Sequence, residues 1–326
     1  MSKITSQTLQ SVEHTNVLLA AYNDDALFME QLVRGDRKGK LRPQGIPTFA
    51  NKLDKRQWMK QHMAAAFRFF GKHGFAEGIA GHISMRDPIL KDHLWLNPFA
   101  KHFSMMKASD LVLIDPEGYV VEGGNQAVIN AAGFMIHSEV HKARPDIVAA
   151  AHAHSIHGRT WSSFGRPVEM ITQDSCNVYG KQALYTNHGG TALSQEEGRA
   201  IAAALGKTNT VCILQNHGLL TVGQTVDEAA FLFYSLERAC QSQLLAEAAA
   251  AHGIPKIPIS DEVARYTAAT VQSPINWYVE FQPEYELIVE ESHGKVLELF
   301  TRNGTFTPYK DEANFERTNL RSREAG

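Results

Sequence analysis

The stretch AHAHSIH, residues 151–157, places His152, His154 and His157 close together, directly after Ala149 and Ala150. On an extended segment, side chains two positions apart share a face, so the imidazoles of His152 and His154 project in parallel. Two parallel imidazoles chelate a divalent cation at nitrogen distances of roughly 2.0–2.1 Å for zinc. Taken alone, an H-x-H pair reads equally well as two hydrogen-bonded core histidines. His217, in QNHGLLTVG, supplies a third imidazole from a strand–turn–strand corner, and Gly218 beside it tolerates positive φ. Three histidine ligands leave a coordination position open, as catalytic metals require. Such a metal acts as a Lewis acid towards a carbonyl or carboxylate oxygen. The expected cofactor is one divalent metal, Zn or Fe(II), since imidazole suits both. His157, opening the next helix, is read as supporting the ligands rather than joining them.

The chemistry also needs a proton donor or orienting group. The candidates are His82, Asp174, Tyr179 and His188, with Tyr185 behind them. Each has an ordinary alternative: Asp174 as a turn cap, the tyrosines as packing residues, His82 as a local hydrogen-bond partner.

The elements that position these residues follow from periodicity. A helix is expected in KRQWMKQHMAAAFRFFGKHG, with Trp58, Met59, Met63, Phe67 and Phe70 on one face. Short strands are expected in HISM, HLWLN, LVLID and YVVE, separated by turn pairs. A helix over 126–143 precedes IVAAAHA (147–153), which reads as a buried strand, and a helix begins near 155. Ser194 and Glu197 form a capping-box pattern ahead of a helix that stops at Gly206. TVCILQNHGLLTVG is strand, turn and strand, and Asp227 opens a long helix to about 250. A further helix, a mixed segment and a polar tail from about 302 complete the chain. Alternating helices and strands over about 200 residues indicate an α/β layered domain. The expected division is an N-terminal arm (1–53) with a short helix near Leu9–Tyr22, a metal-binding domain (54–252) and a C-terminal extension (253–326).

Composition narrows the functional classes. Thirty-two Lys and Arg against 35 Asp and Glu give a net charge of −3. No basic face is concentrated enough for a nucleic-acid partner. The run RGDRKGKLR (34–42) reads as a solvated loop. No stretch of about 18 apolar residues is present, so no membrane partner is expected. Three unpatterned cysteines, Cys176, Cys212 and Cys240, make no disulfide framework. A cytoplasmic location is expected, with a small molecule as the partner.

GHIS (81–84), HSEVHKARPDIVAAAHAHS (137–155) and LQNHGLLTVGQTVDEA (214–229) resemble the class II aldolase/adducin superfamily, over roughly residues 55–250. The resemblance implies a three-layer α/β/α sandwich with a central mixed, mostly antiparallel sheet. It implies metal ligation by His152, His154 and His217, and a homotetramer with sites near subunit interfaces. It also marks departures. The aldolases carry a metal-binding, proton-transferring Glu where this chain has Gly133. Their phosphate-holding segments correspond here to Gly81–His82, Asn97–Ala100 and Asn130–Ala132, which lose hydroxyl donors and gain Phe99. The adducin branch has similar substitutions. FGKHGFAEGIAGHISMRDP, LWLNPF and TQDSC are similar to a further branch, which includes non-heme iron prenyl-hydroxyphenylpyruvate oxygenases. The expected activity is therefore C–C cleavage, of aldolase or decarboxylase type, on a small non-phosphorylated carbonyl or carboxylic acid, possibly an aromatic one, in secondary or accessory metabolism. The alternatives are an Fe(II) oxygenase acting on a 2-oxo or hydroxy acid, and an adducin-like interaction protein without catalysis.

Overall fold

The computed structural model describes residues 33–187, 189–190 and 194–299. The expected helix near Leu9, the polar tail beyond 302 and His188 lie outside them. Seven strands, β1 (His82–Arg86), β2 (Leu94–Leu96), β3 (Val112–Ile114), β4 (Ala149–Ala153), β5 (Gln182–Tyr185), β6 (Val211–Leu214) and β7 (Gly218–Gly223), form one sheet. Their order is β3–β2–β1–β4–β7–β6–β5. Only β5 and β6 run parallel; the other pairings are antiparallel. This is the mixed, mostly antiparallel sheet that the resemblance implied.

Seven helices accompany it among the described residues: α1 (Lys52–Lys72), α2 (Ala131–Ala143), α3 (Ile156–Ser162), α4 (Gln195–Leu205), α5 (Val226–Ala250), α6 (Asp261–Val271) and α7 (Pro274–Glu291). Strand alternation decides what each layer buries. Ala150 and Leu220 pack with Ile136, Val140 and Ile201 of α2 and α4. Ala151, Ala153, Ile83 and Met85 point the other way, onto Met63, Phe67, Phe70 and Phe233 of α1 and α5. The alanines of β4 are all fully buried, and their small side chains let helices approach both faces of the central strand.

Three local expectations change. YVVE forms only an isolated bridge between Val120 and Ile114. The Asp115 carboxylate accepts from the backbone N–H groups of Glu117 and Tyr119, closing a turn that returns the chain to β3 too briefly for a strand. The helix expected from 126 starts at Ala131, because the Asn130 side chain accepts from Gly133 N at 3.2 Å and sets the N-cap there. The mixed C-terminal segment is helix α7, with Pro274 in its first turn and Pro283 inside it. Trp277, Phe281 and Ile288 carry α7 into the main core, continuous with α1 and α5. No helix of the described residues is long and apolar enough to cross a membrane.

Candidate metal centre

β1, β4 and β7 lie side by side, so their ends form one corner. His82 stands opposite His152, and His152 opposite Leu220. The β6–β7 turn brings His217 to the same end. Its left-handed residue is Asn216, at φ 58°, and not Gly218. Gly218 answers to a different need: a Cβ there would lie 2.8 Å from the Ala153 carbonyl oxygen, so only glycine lets β7 pass the end of β4.

The result is a trio. His152, His154 and His217 each offer a ring nitrogen, and these atoms lie within 4.8 Å of one another. Ring centroids are 5.1 Å apart for His152–His154, 4.7 Å for His152–His217 and 4.8 Å for His154–His217. His152 Nδ1 sits 2.8 Å from the Leu219 carbonyl oxygen. A carbonyl only accepts, so the proton belongs on Nδ1 and the lone pair on Nε2 is free for a cation. Burial first, and then the His217 and His82 rings, hold His152 well below its ordinary pKa. It is therefore neutral, as a ligand must be. Tetrahedral coordination at about 2.1 Å sets nitrogens about 3.4 Å apart, within reach of small ring rotations. The donor set fits Zn or Fe(II).

The trio opens into a pocket of about 700 Å³, walled by Ile79, His82, Asn130, Arg159, Ser163 and Asn216 among others. None of the described residues lining it is acidic. Arg159, the one guanidinium there, is bonded to Glu77 at 2.6 Å.

Of the candidates for proton transfer, His82 is in this wall. Its ring stacks 4.9 Å from that of His152. Its edge fills the space above Gly133, where a Cβ would meet ring atoms of His82 at 2.5–2.8 Å. The fold sends the other described candidates elsewhere. The Tyr179 hydroxyl donates to Asp261 at the start of α6. Asp174 opens a short 3-10 turn close to Glu280 of α7. Tyr185 bonds Glu197, and burial with that carboxylate pushes its phenol up to about 12. His157 pairs with Glu237 at 2.9 Å. Ser194 is an N-cap without a side-chain cap bond, so the expected capping box is not made.

One group went unnoticed in the sequence: His137 and His141 of α2, which face Ser84 of β1. Their i, i+4 spacing on a buried helix face, beside a strand serine two residues past His82, was the available signal.

A mostly antiparallel sheet with three convergent imidazoles at a strand–turn corner is the arrangement of a class II aldolase fold with a histidine trio that could hold a metal. The model of the "Class II Aldolase and Adducin N-terminal domain" matches residues 61–244, and the chain belongs to this family. It is 41% identical to the meiotically up-regulated gene 14 protein of Schizosaccharomyces pombe, over 77% of this chain and 97% of that one. It is 37% identical to the 4-hydroxy-3-prenylphenylpyruvate oxygenase/4-hydroxy-3-prenylbenzoate synthase of Streptomyces roseochromogenus, over 74% of this chain and 85% of the relative. Among solved structures, the L-fuculose 1-phosphate aldolase from Glaciozyma antarctica superposes with a TM-score of 0.70 at 42% identity, covering 77% of this chain and 96% of that one.

Proposed function

We propose that this chain is a metal-dependent lyase that cleaves a C–C bond beside a carbonyl in a small, non-phosphorylated carboxylic acid. The observation that carries the reading is the convergence of His152, His154 and His217, with the Leu219 carbonyl fixing the tautomer of His152. A divalent cation held there supplies Lewis acidity, which stabilises negative charge on a carbonyl-derived oxygen. The chain's own residues do the rest. The imidazoles would orient the cation, Asn130, Ser163 and Asn216 line the pocket with neutral polar groups, and the buried Ile136 adds an apolar wall. A phosphate needs several free cationic or hydroxyl donors. Among the described residues lining this pocket, Arg159 is engaged by Glu77 and Ser163 Oγ donates to the Thr160 carbonyl, which favours a carboxylic acid over a sugar phosphate.

The second reading, an Fe(II) oxygenase acting on a 2-oxo acid, is favoured by the name of the Streptomyces relative. Ile79 in the pocket wall, Ile156 at the start of α3 and Phe164 just past its end are each more than half exposed, which fits a homotetramer with sites near subunit interfaces. Three free buried cysteines fit a cytoplasmic enzyme of accessory metabolism.

The test is metal analysis of the purified protein and of His154→Ala, followed by turnover of aryl 2-oxo acids, aryl 2-hydroxy acids and L-fuculose 1-phosphate, with and without dioxygen. Stoichiometric metal that His154→Ala loses, together with anaerobic cleavage of an acid, supports the lyase. Strict dioxygen dependence transfers the case to the oxygenase. Efficient cleavage of the sugar phosphate removes the substrate class. Metal-free protein returns the chain to an interaction role.

A further inference from the structure

Behind the pocket wall, five side chains form a single file between β1 and α2. His82 Nδ1 lies 2.8 Å from His137 Nε2. His137 Nδ1 lies 2.5 Å from Ser84 Oγ, and Ser84 Oγ lies 2.8 Å from His141 Nε2. An Arg86 Nη2 proton reaches His141 Nδ1 at 3.4 Å. We infer that this file has a fixed direction and ends in a His82 Nε2–H that donates into the pocket, to an anionic oxygen (carboxylate or enolate) of the substrate.

The direction follows from Arg86. A guanidinium has donors only. His141 Nδ1 must therefore accept, and the proton of the neutral ring sits on Nε2. That N–H donates to Ser84 Oγ, which leaves the serine hydrogen for His137 Nδ1. His137 then carries its proton on Nε2 and donates to His82 Nδ1. His82 is left with its proton on Nε2, at the edge of the ring that lies over Gly133 and the pocket. The reverse direction would aim a His141 N–H at a guanidinium, with no acceptor between them. Arg86 is itself held in place: Nη2 donates to the His141 carbonyl at 2.7 Å, Nη1 to that of Lys91 at 3.1 Å and Nε to that of Ile147 at 3.4 Å. The rings are neutral, as the argument requires. Burial lowers His137 and His141 to about 3, and His82 takes a donated proton at Nδ1 from His137 Nε2, as a neutral ring does.

A consequence concerns the metal. With Nδ1 accepting from His137 and Nε2 protonated, His82 has no lone pair to give a cation. It packs against His152 yet stands outside the ligand set, as a donor beside it. Ser84, His137, His141 and Arg86 are positioning residues that fix which proton His82 presents. The destination of that proton rests on the pocket being the active site; the direction of the file does not.

Long-range 1H–15N correlation spectra of histidine-labelled protein distinguish the two imidazole tautomers, and a His82→Asn spectrum assigns the ring. The expected result is a His82 signal with a protonated Nε2 and a pyridine-type Nδ1, in metal-free and zinc-loaded protein alike. Arg86→Met, and separately the smaller Ser84→Ala, should release that preference and give a mixed or inverted tautomer. Pyruvate added to zinc-loaded protein should shift the Nε2 proton of His82. A wild-type ring protonated on Nδ1, or a tautomer unmoved in both variants, overturns the direction of the file. A correct tautomer that pyruvate leaves unshifted overturns the donation to substrate. If zinc fails to bind while His82 keeps its Nε2–H, the metal reading falls and the file stands.

Discussion

On the side of the sheet covered by α1 and α5, histidines meet acids. His62 Nδ1 lies 2.6 Å from Asp227 Oδ1, and His157 Nδ1 lies 2.9 Å from Glu237 Oε1. On the side covered by α2 and α4, the hydrogen bonds of His82, His137, His141 and His152 run to imidazoles, a serine hydroxyl, a guanidinium and a backbone carbonyl. The first arrangement satisfies itself, since a buried carboxylate beside an imidazole holds both groups in place. The second brings the ring nitrogens of His152, His154 and His217 together with no acid among the three, a donor set of the kind that could hold a divalent cation. Residue type is the same on both faces; what differs is whether a carboxylate is the imidazole's partner.

The contrast is broken most severely by removing a ligand. His217→Ala should lose the metal and all turnover, a larger loss than the 10–100-fold in affinity typical of groups that merely support a ligand. His157→Ala should keep stoichiometric metal, because Glu237 also accepts from Ser155 Oγ and from the backbone N–H groups of His157 and Gly158. Equal metal content in the two variants, measured by plasma mass spectrometry, would erase the distinction.

Next in size is the acid on the other face. Asp227 is fully buried and also accepts from Gln282 of α7 at 3.2 Å, tying that helix to α1 through His62. Asp227→Ala removes the partner of the buried His62 imidazole and one of two acceptors of the half-buried Gln282 amide, a loss of about 3 kcal/mol. The midpoint of thermal unfolding should fall by roughly 6–12 °C. Zinc affinity should not change, and a parallel loss of zinc would mean that the two faces are not independent.

Acid should act through the buried imidazoles that have no carboxylate partner. His141 is lowered to about 3 by burial first and by Arg86 second. A folded pKa below the unfolded one means that the unfolded chain binds the proton more readily. This contribution is complete above the ordinary value of about 6.5 and is lost as pH falls towards 3. Glu228 runs the other way: burial raises it to about 7, and its contribution is present below about 4.5 and lost as pH rises through 7. Below about pH 4.5 Glu228 is protonated in both states, so the histidines act without it. Denaturant unfolding of metal-free protein in that window should show a slope shallower by about 1.4 kcal/mol per pH unit in His141→Gln than in wild type. Parallel slopes would mean that His141 is not a buried neutral ring.

How much of this was legible in the sequence depended on the distance over which a signal acts. The alanine-flanked H-x-H of β4 and the NHG corner announced the trio, because strand periodicity and turn chemistry are local. The layered fold was legible for the same reason, together with separated motifs matching in order. The turn was read at the right place with the wrong residue. Asn216 takes the left-handed conformation, while Gly218 is required by a carbonyl of another strand that no local rule reveals. Helix α7 was hidden by Pro283 and by its glutamates, and its identity rests on Trp277 and Phe281 reaching a core built by α1 and α5. Asp174 and Tyr179 were plausible by type, but α6 and α7 draw that segment away from the pocket.

The smallest effect is expected at Gly133, where the His82 ring lies against the backbone of α2. Position 133 is the third residue of α2, in its first turn, where alanine is favoured over glycine by at most about 1 kcal/mol in helix propensity. Against this, a Cβ at 133 would lie 2.5 Å from Cδ2 and 2.8 Å from Cγ and Nε2 of His82, and overpacking of that kind disfavours the fold by about 1–3 kcal/mol. The two terms nearly cancel, so Gly133→Ala should change stability by no more than about 1–2 kcal/mol. Its functional signature is more selective. The His82 ring has to move while His152, His154 and His217 stay, so metal content should remain stoichiometric and turnover should fall. Unaltered turnover in a folded, metal-loaded Gly133→Ala protein would show that the position of His82 over Gly133 is packing alone, and would leave the three ligands as the whole of what this face contributes.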